Sequence, residues 1–190
     1  MPDDASILAA KPGPDDPLGQ LRACHRKLEA RLEALGEVAR VLAAGVPAER
    51  RAAVVEALGA AIAHFDGPGA WHLADEEQSV LPRLLAADPG AAEAVALLAP
   101  EHEAIEAGWA DLKPALEALR DAVAAGEPTP GTWLHRLEAQ LPGYLALYLR
   151  HHAAEETTIM PRVRAALGPE ALAAIGAEMQ ARRGGDRRDG

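Results

Sequence analysis

Aromatic side chains are scarce in this chain of 190 residues, where three Trp, two Tyr and one Phe make up 3%. With so few of them and no alternating β-branched runs, nothing supplies the half-buried pleated surface of a strand, and a β-sheet fold is excluded. Cysteine occurs once, at Cys24, so no internal disulfide forms, in keeping with a reducing compartment. No run of eighteen apolar residues occurs, and the first thirty residues carry no charged-then-apolar leader pattern. Both absences point to a cytoplasmic protein without a membrane span. Basic charge is in deficit as well: 19 Lys and Arg stand against 29 Asp and Glu, a net charge of −10. That balance disfavours the phosphate contacts on which nucleic acids and anionic membranes depend.

What is abundant is Ala, Leu, Glu and Arg, the residues with the best helix propensity. The length suits one domain with a core of its own. Residues 1–16 carry four Asp and three Pro and are expected to be an irregular lead-in. Asp16 before Pro17 marks a helix start, a side-chain cap ahead of a proline at the first helical position. The first helix should run from about Pro17 to Ala44 on the seam Leu18, Leu21, Leu28, Leu32, Leu35, Leu42, with His25 in the position that completes the series. A second helical stretch carries Val54, Leu58, Ile62 and Phe65, should be interrupted or kinked at DGPGA (66–70), and resumes through Trp71 to about Leu85. A third, about 91–124, has the seam Leu98, Ile105, Trp109, Leu112, Leu116, Leu119, Val123, with His102 as the missing member and local perturbation at Pro100 and Pro114. The fourth, about 132–167, follows Leu134, Leu137, Leu141, Tyr144, Tyr148, and the same spacing then lands on His151, Glu155 and Ile159. A short fifth helix is expected at 169–181, and a flexible basic tail at 182–190. The fold predicted is all-α: an up-down four-helix bundle over 17–181 with a short C-terminal helix.

Each long helix therefore places one histidine where its periodicity asks for an apolar residue. HLADEEQSVLP (72–82) and HHAAEETTIMP (151–161) repeat one layout of histidine, paired glutamates and a closing proline. Residues four apart share a helix face, so His72 with Glu76, and His151 with Glu155, point into the same space, while Glu77 and Glu156 fall about 100° round. Two hairpins of this plan would bring His25, His72, Glu76, His102, His151 and Glu155 together in a leucine core. Such polar groups are costly to bury unless something pairs with them. A dinuclear metal centre does so, two carboxylates bridging and two imidazoles capping each ion. Nitrogen and oxygen donors without thiolate suit iron best, with manganese or zinc also compatible.

The segments LRACHRKLE, HLADEEQSVLPRL, APEHEAIEAGWADL and LRHHAAEETTIMPRV together resemble the hemerythrin-like, or HHE, cation-binding domain family. The resemblance implies those same six residues as ligands of two iron ions (Fe2+/Fe3+) with an oxo or hydroxo bridge, and O2, NO or peroxide as the reacting partner. Two departures from the oxygen-carrying members are visible: Leu98 stands where they have a second third-helix histidine, and Glu156 where they have an aspartate. The first argues against reversible oxygen carriage and leaves a coordination position for water or a side chain such as Tyr148, with Glu156 and His64 as further neighbours. Binding or sensing of a small ligand, redox or iron-donor enzymology, and a purely structural metal remain as separate readings. Other residues receive plainer assignments. His64 is read as a polar surface group, and His135 and His152 as surface or supporting groups. Glu77 and Glu156 are read as helix-face charges; Glu29 and Glu106, each four residues after a histidine, are explained equally well by that spacing and by a helix-face charge; Cys24 is read as a small packed residue, and Phe65, Trp109, Tyr144 and Tyr148 as core. No histidine has a glutamate three residues before it, which disfavours a ferritin-like iron site.

Overall fold

A computed structural model of the chain describes Gly13 and residues 15–185. Most of the expected lead-in, and residues 186–190 of the expected tail, lie outside the described residues. Among the described residues there is no strand, and the all-α expectation holds. Helix α1 (Pro17–Ala44) starts where Asp16 Oδ1 accepts from Gly19 N at 2.9 Å. The second helical stretch is α2 (Arg51–His64), α3 (Ala70–Asp75) and α4 (Leu81–Ala87), joined by π-helical turns at Phe65–Gly69 and Glu76–Val80. Helix α5 (Ala92–Ala125) is continuous through both Pro100 and Pro114. It ends at Gly126, whose φ of 71° is the left-handed conformation that closes a helix, with Glu127 N bonding back to Ala122 O at 2.9 Å. Helix α6 (Gly131–Ala154) passes through a π turn (Glu155–Ile159) into α7 (Met160–Ala166), and α8 (Pro169–Gly185) completes the described chain.

Helix α1 packs on α2 and α6, and α5 packs on the same two, which is the arrangement of a four-helix bundle. At the α5–α6 crossing, Gly108 lets Tyr144 come close: a Cβ there would lie 2.7 Å from two atoms of the Tyr144 ring. The Tyr144 hydroxyl donates to Ile105 O at 3.1 Å.

The predicted seams are buried almost throughout, and each fully buried leucine contributes about 1.5–3 kcal/mol. Two positions differ. Leu134 and Trp109 are only half-buried, and Trp109 lies at the bundle edge with its indole N–H donating to Asp66 Oδ1 at 2.9 Å. The core falls into two apolar clusters. One gathers Leu28 to Leu42 of α1 with Leu58, Ile105, Leu116 and Tyr148; the other gathers Leu18, Leu21, Val80, Leu98, Ile159 and Met160 with Ile175 and Met179 of α8. Between them on α1 lies His25, on α5 His102, and on the α6–α7 stretch His151 and Glu155.

At DGPGA the α-helix is interrupted as expected, Pro68 being taken up in a π turn before α3 resumes at Ala70. Another expectation needs correcting. The last helix runs past residue 181 to Gly185, because Arg182 and Arg183 both bond to Asp75, which is fully buried.

Candidate metal centre

Both His-Glu stretches open into π turns at the glutamate itself, and local chemistry explains why. Pro82 and Pro161 have no N–H, and a proline ring displaces the carbonyl four residues before it. The preceding turn widens, so that Leu81 N bonds to Glu76 O and Met160 N to Glu155 O, five residues back. The closing proline in each repeat thus helps shape the backbone that presents the carboxylate.

The structure brings together all six residues singled out in the sequence. His25, His72, Glu76 and Glu155 form one set, and Glu76, His102, His151 and Glu155 another, with the ligand atoms of each set within 4.8 Å of one another. All six are 2% exposed or less. Both carboxylates belong to both sets. Glu76 Oε1 lies 3.2 Å from His72 Nε2, and its Oε2 3.5 Å from His102 Nε2. Glu155 Oε2 lies 3.3 Å from His25 Nε2, and its Oε1 3.5 Å from His151 Nε2. Each carboxylate therefore spans the two histidine pairs, one oxygen to each. Two ligands at right angles on one cation, each about 2.1 Å from it, stand about 3 Å apart.

None of these contacts is a hydrogen bond: the Nε2 atoms of His25, His72, His102 and His151, both Glu76 oxygens and Glu155 Oε2 are buried without a partner. Each such group costs about 1–3 kcal/mol. Their protonation shows the same tension. Burial and the charge of Glu155 push Glu76 well above the ordinary carboxylate range. Burial would also raise Glu155, but His25 and the neighbouring imidazoles hold it below that range. Burial alone would lower His25, yet Glu155 and Glu76 lift it to about 10. Burial takes His72 down to about 3. This donor set fits metal cations, which would engage the inward Nε2 and carboxylate oxygen atoms that have no partner.

The residues around this layer differ from the sequence reading. Glu156 and Glu77 are not free face charges: Glu156 Oε1 lies 2.9 Å from His25 Nδ1, and Glu77 Oε1 lies 2.8 Å from His102 Nδ1. Glu29 is likewise engaged, 2.8 Å from His152 Nδ1, and Glu101, which the sequence reading did not single out, is 3.1 Å from His151 Nδ1. Glu106 is exposed. A carboxylate holding Nδ1–H leaves Nε2 as the lone pair of a neutral imidazole, the form that binds a cation. The signal for Glu77 and Glu156 was their place just after a seam glutamate; Glu101 gave none, because its partner lies on another helix. His152, read as surface or supporting, is 2% exposed, and its Nε2 is buried without a partner. It forms a third set with His25 and His72.

His64 stands edge-on to Phe65 and belongs to none of the sets, and His135 is exposed. The Tyr148 ring lies 5.2 Å from the His152 ring, and burial raises the pKa of its hydroxyl, so it stays a neutral phenol. Burial lifts Cys24 to about 12, leaving a neutral thiol near Pro68 O. No helix among the described residues is long and apolar enough to cross a membrane.

Residues 16–161 match the family described as the hemerythrin HHE cation binding domain. No match is found among curated proteins or among solved structures. The matched stretch runs from the cap of α1 into α7 and contains the whole histidine and glutamate layer, and the chain belongs to the hemerythrin HHE cation binding domain family.

Proposed function

We propose that this protein is a non-haem di-iron protein that binds or senses O2 or NO, or reacts with peroxide. The observation that carries the reading is that Glu76 and Glu155 each offer one oxygen to either histidine pair. A single ion would leave one pair unused. The donors are imidazole and carboxylate, and the one cysteine is a neutral thiol, a set that favours iron over softer metals while still admitting manganese or zinc. Iron held there would supply affinity for O2 and NO and the electrons that reduce O2 or peroxide. The chain's own part is to orient the imidazoles of His25, His102 and His151 through the carboxylates on their Nδ1 atoms, and to exclude water with Leu18, Leu21, Val80, Leu81, Ile159 and Met160, which line the space beside Glu76 and Glu155. Leu98, 2% exposed one turn before His102, brings an apolar side chain where the oxygen carriers have an imidazole, and favours consumption of O2 over its release.

The test is anaerobic loading with ferrous iron, elemental analysis, and stopped-flow mixing with O2 followed by evacuation. Two iron ions per chain and an optical change within seconds to minutes that evacuation does not reverse are expected, together with NO binding to the reduced protein. Full reversal on evacuation would make it a carrier. Two tightly held ions with no response to O2, NO or peroxide would leave the metal structural.

A further inference from the structure

The two repeats that carry Glu76 and Glu155 share one layout and differ in how they are held. Asp75, immediately before the first π turn, and Ser79, inside it, are polar and fully buried. The matching positions of the second repeat are Ala154 and the exposed Thr158. Helix α8, which lies beyond the family match, grips the first turn at both points. Arg182 and Arg183 each pair with a different oxygen of Asp75, and Arg182 also donates to Ser79 Oγ at 2.6 Å. The Ser79 hydroxyl donates to Glu178 Oε2 at 2.7 Å, and Arg83 bridges Glu178 Oε1 and Ser79 O at 2.6 and 2.9 Å. Buried ion pairs stabilise a fold no better than apolar side chains of similar volume, and the second repeat forms the same π turn with alanine in place of the aspartate. What the first set of bonds fixes is geometry: one peptide joins Asp75 to Glu76, and a π turn is an uncommon backbone conformation that its surroundings must hold.

Resting on the metal-centre reading above but on no particular ion, we infer that Glu178, Arg182 and Arg183 are positioning residues for Glu76. They hold the turn that aims its two oxygens at the histidine pairs, so docking of α8 and occupation of the metal layer are coupled. The coupling is reciprocal: metal in the layer holds α8 in place, and loss of the α8 bonds loosens Glu76. Charge alone predicts the reverse. Two arginines near a cation site repel the cation, so if they acted only through charge their removal would tighten binding.

The experiment titrates Co2+ against a chelator and records the visible absorption of each saturated protein. Wild type is compared with the double variant Arg182→Ala, Arg183→Ala, with Ser79→Ala, and with Leu58→Ala, a fully buried leucine of the other apolar cluster. The double variant is expected to lose about tenfold or more in affinity, as when an outer partner of a ligand is removed, and to show altered Co2+ bands. Ser79→Ala should show a smaller loss in the same direction. Leu58→Ala, destabilised by a cavity away from the site, should keep wild-type affinity and bands. Should the double variant not fold, Ser79→Ala decides in its place. Unchanged or tighter binding with wild-type bands overturns the inference, and so does an equal loss in Leu58→Ala, which would show that affinity merely follows stability. A wild type that takes up no Co2+ overturns the metal centre itself, and this inference with it.

Discussion

Glu156 is 39% exposed at its side chain, yet it lies 2.9 Å from Nδ1 of a histidine that is 1% exposed. Periodicity treats it as a face charge, and substitution of a face charge leaves stability within about 0.5 kcal/mol. Its bond to His25 changes that expectation. Glu156→Ala and Glu77→Ala should each lower metal affinity by about 10–100-fold, the usual effect of removing the group that orients a ligating histidine. Exposed Glu103→Ala should leave affinity unchanged. Chelator competition measures all three, and wild-type affinity in both Glu156→Ala and Glu77→Ala would show that the Nδ1 bonds do not orient the rings. Exposure at this scale is a poor guide to role: a glutamate can keep one edge in water and still fix the tautomer of a buried ring.

At the scale of elements, α8 is the addition that the family match does not reach, and it closes the end of the bundle next to the site. Ile175 and Met179 are fully buried against Leu18, Leu21 and Val80. Beside them Asp75, fully buried and one residue before Glu76, takes bonds from Arg182 and Arg183, while Ser79 and Arg83 bond to Glu178 at 2.7 and 2.6 Å. Removing both arginines leaves a buried carboxylate unpaired. The double substitution Arg182→Ala, Arg183→Ala should therefore destabilise the protein by about 3–5 kcal/mol. Adding Asp75→Asn should recover part of that loss, since a neutral amide is cheaper to leave unpaired. Urea unfolding of the three proteins checks this, and a double variant as stable as wild type would mean that Ile175, Met179 and the Glu178 bonds hold α8 without the Asp75 pairs.

For the whole molecule, the polar layer lies between two apolar clusters that pack the same helices on either side of it. Metal removal should therefore lower the melting temperature while preserving helicity. At free metal one hundred times Kd, native-state binding adds about 2.7 kcal/mol, which for a chain of this length is roughly 5–10 °C. Calorimetry of metal-free and metal-loaded protein measures the shift, and far-ultraviolet circular dichroism the helicity. Equal melting temperatures would mean that the layer binds no cation.

Much of this protein is legible in its sequence because the information is local. A stripe of leucines every three or four residues defines α1, α5 and the helical stretch from α6 through α7 to within a residue or two, and a histidine or glutamate at the next step of the stripe must face the same core as the leucines around it. His25, His72, Glu76, His102, His151 and Glu155 were found in this way. The proline ten residues after each leading histidine was visible too, but its consequence, a π turn opening at the glutamate, follows only from how the backbone accommodates a missing N–H while both neighbouring turns stay packed. What lies off the stripe was decided by neighbours far away in sequence. His152 turns inward because Glu29 of α1 holds its outer nitrogen, Glu101 reaches His151 across two helices, and Arg182 remains helical because it meets Asp75. Periodicity reports which way a side chain leaves its own helix; which partner waits there, and hence whether a polar residue at the edge of the stripe is solvated or enlisted, is fixed only when the helices pack.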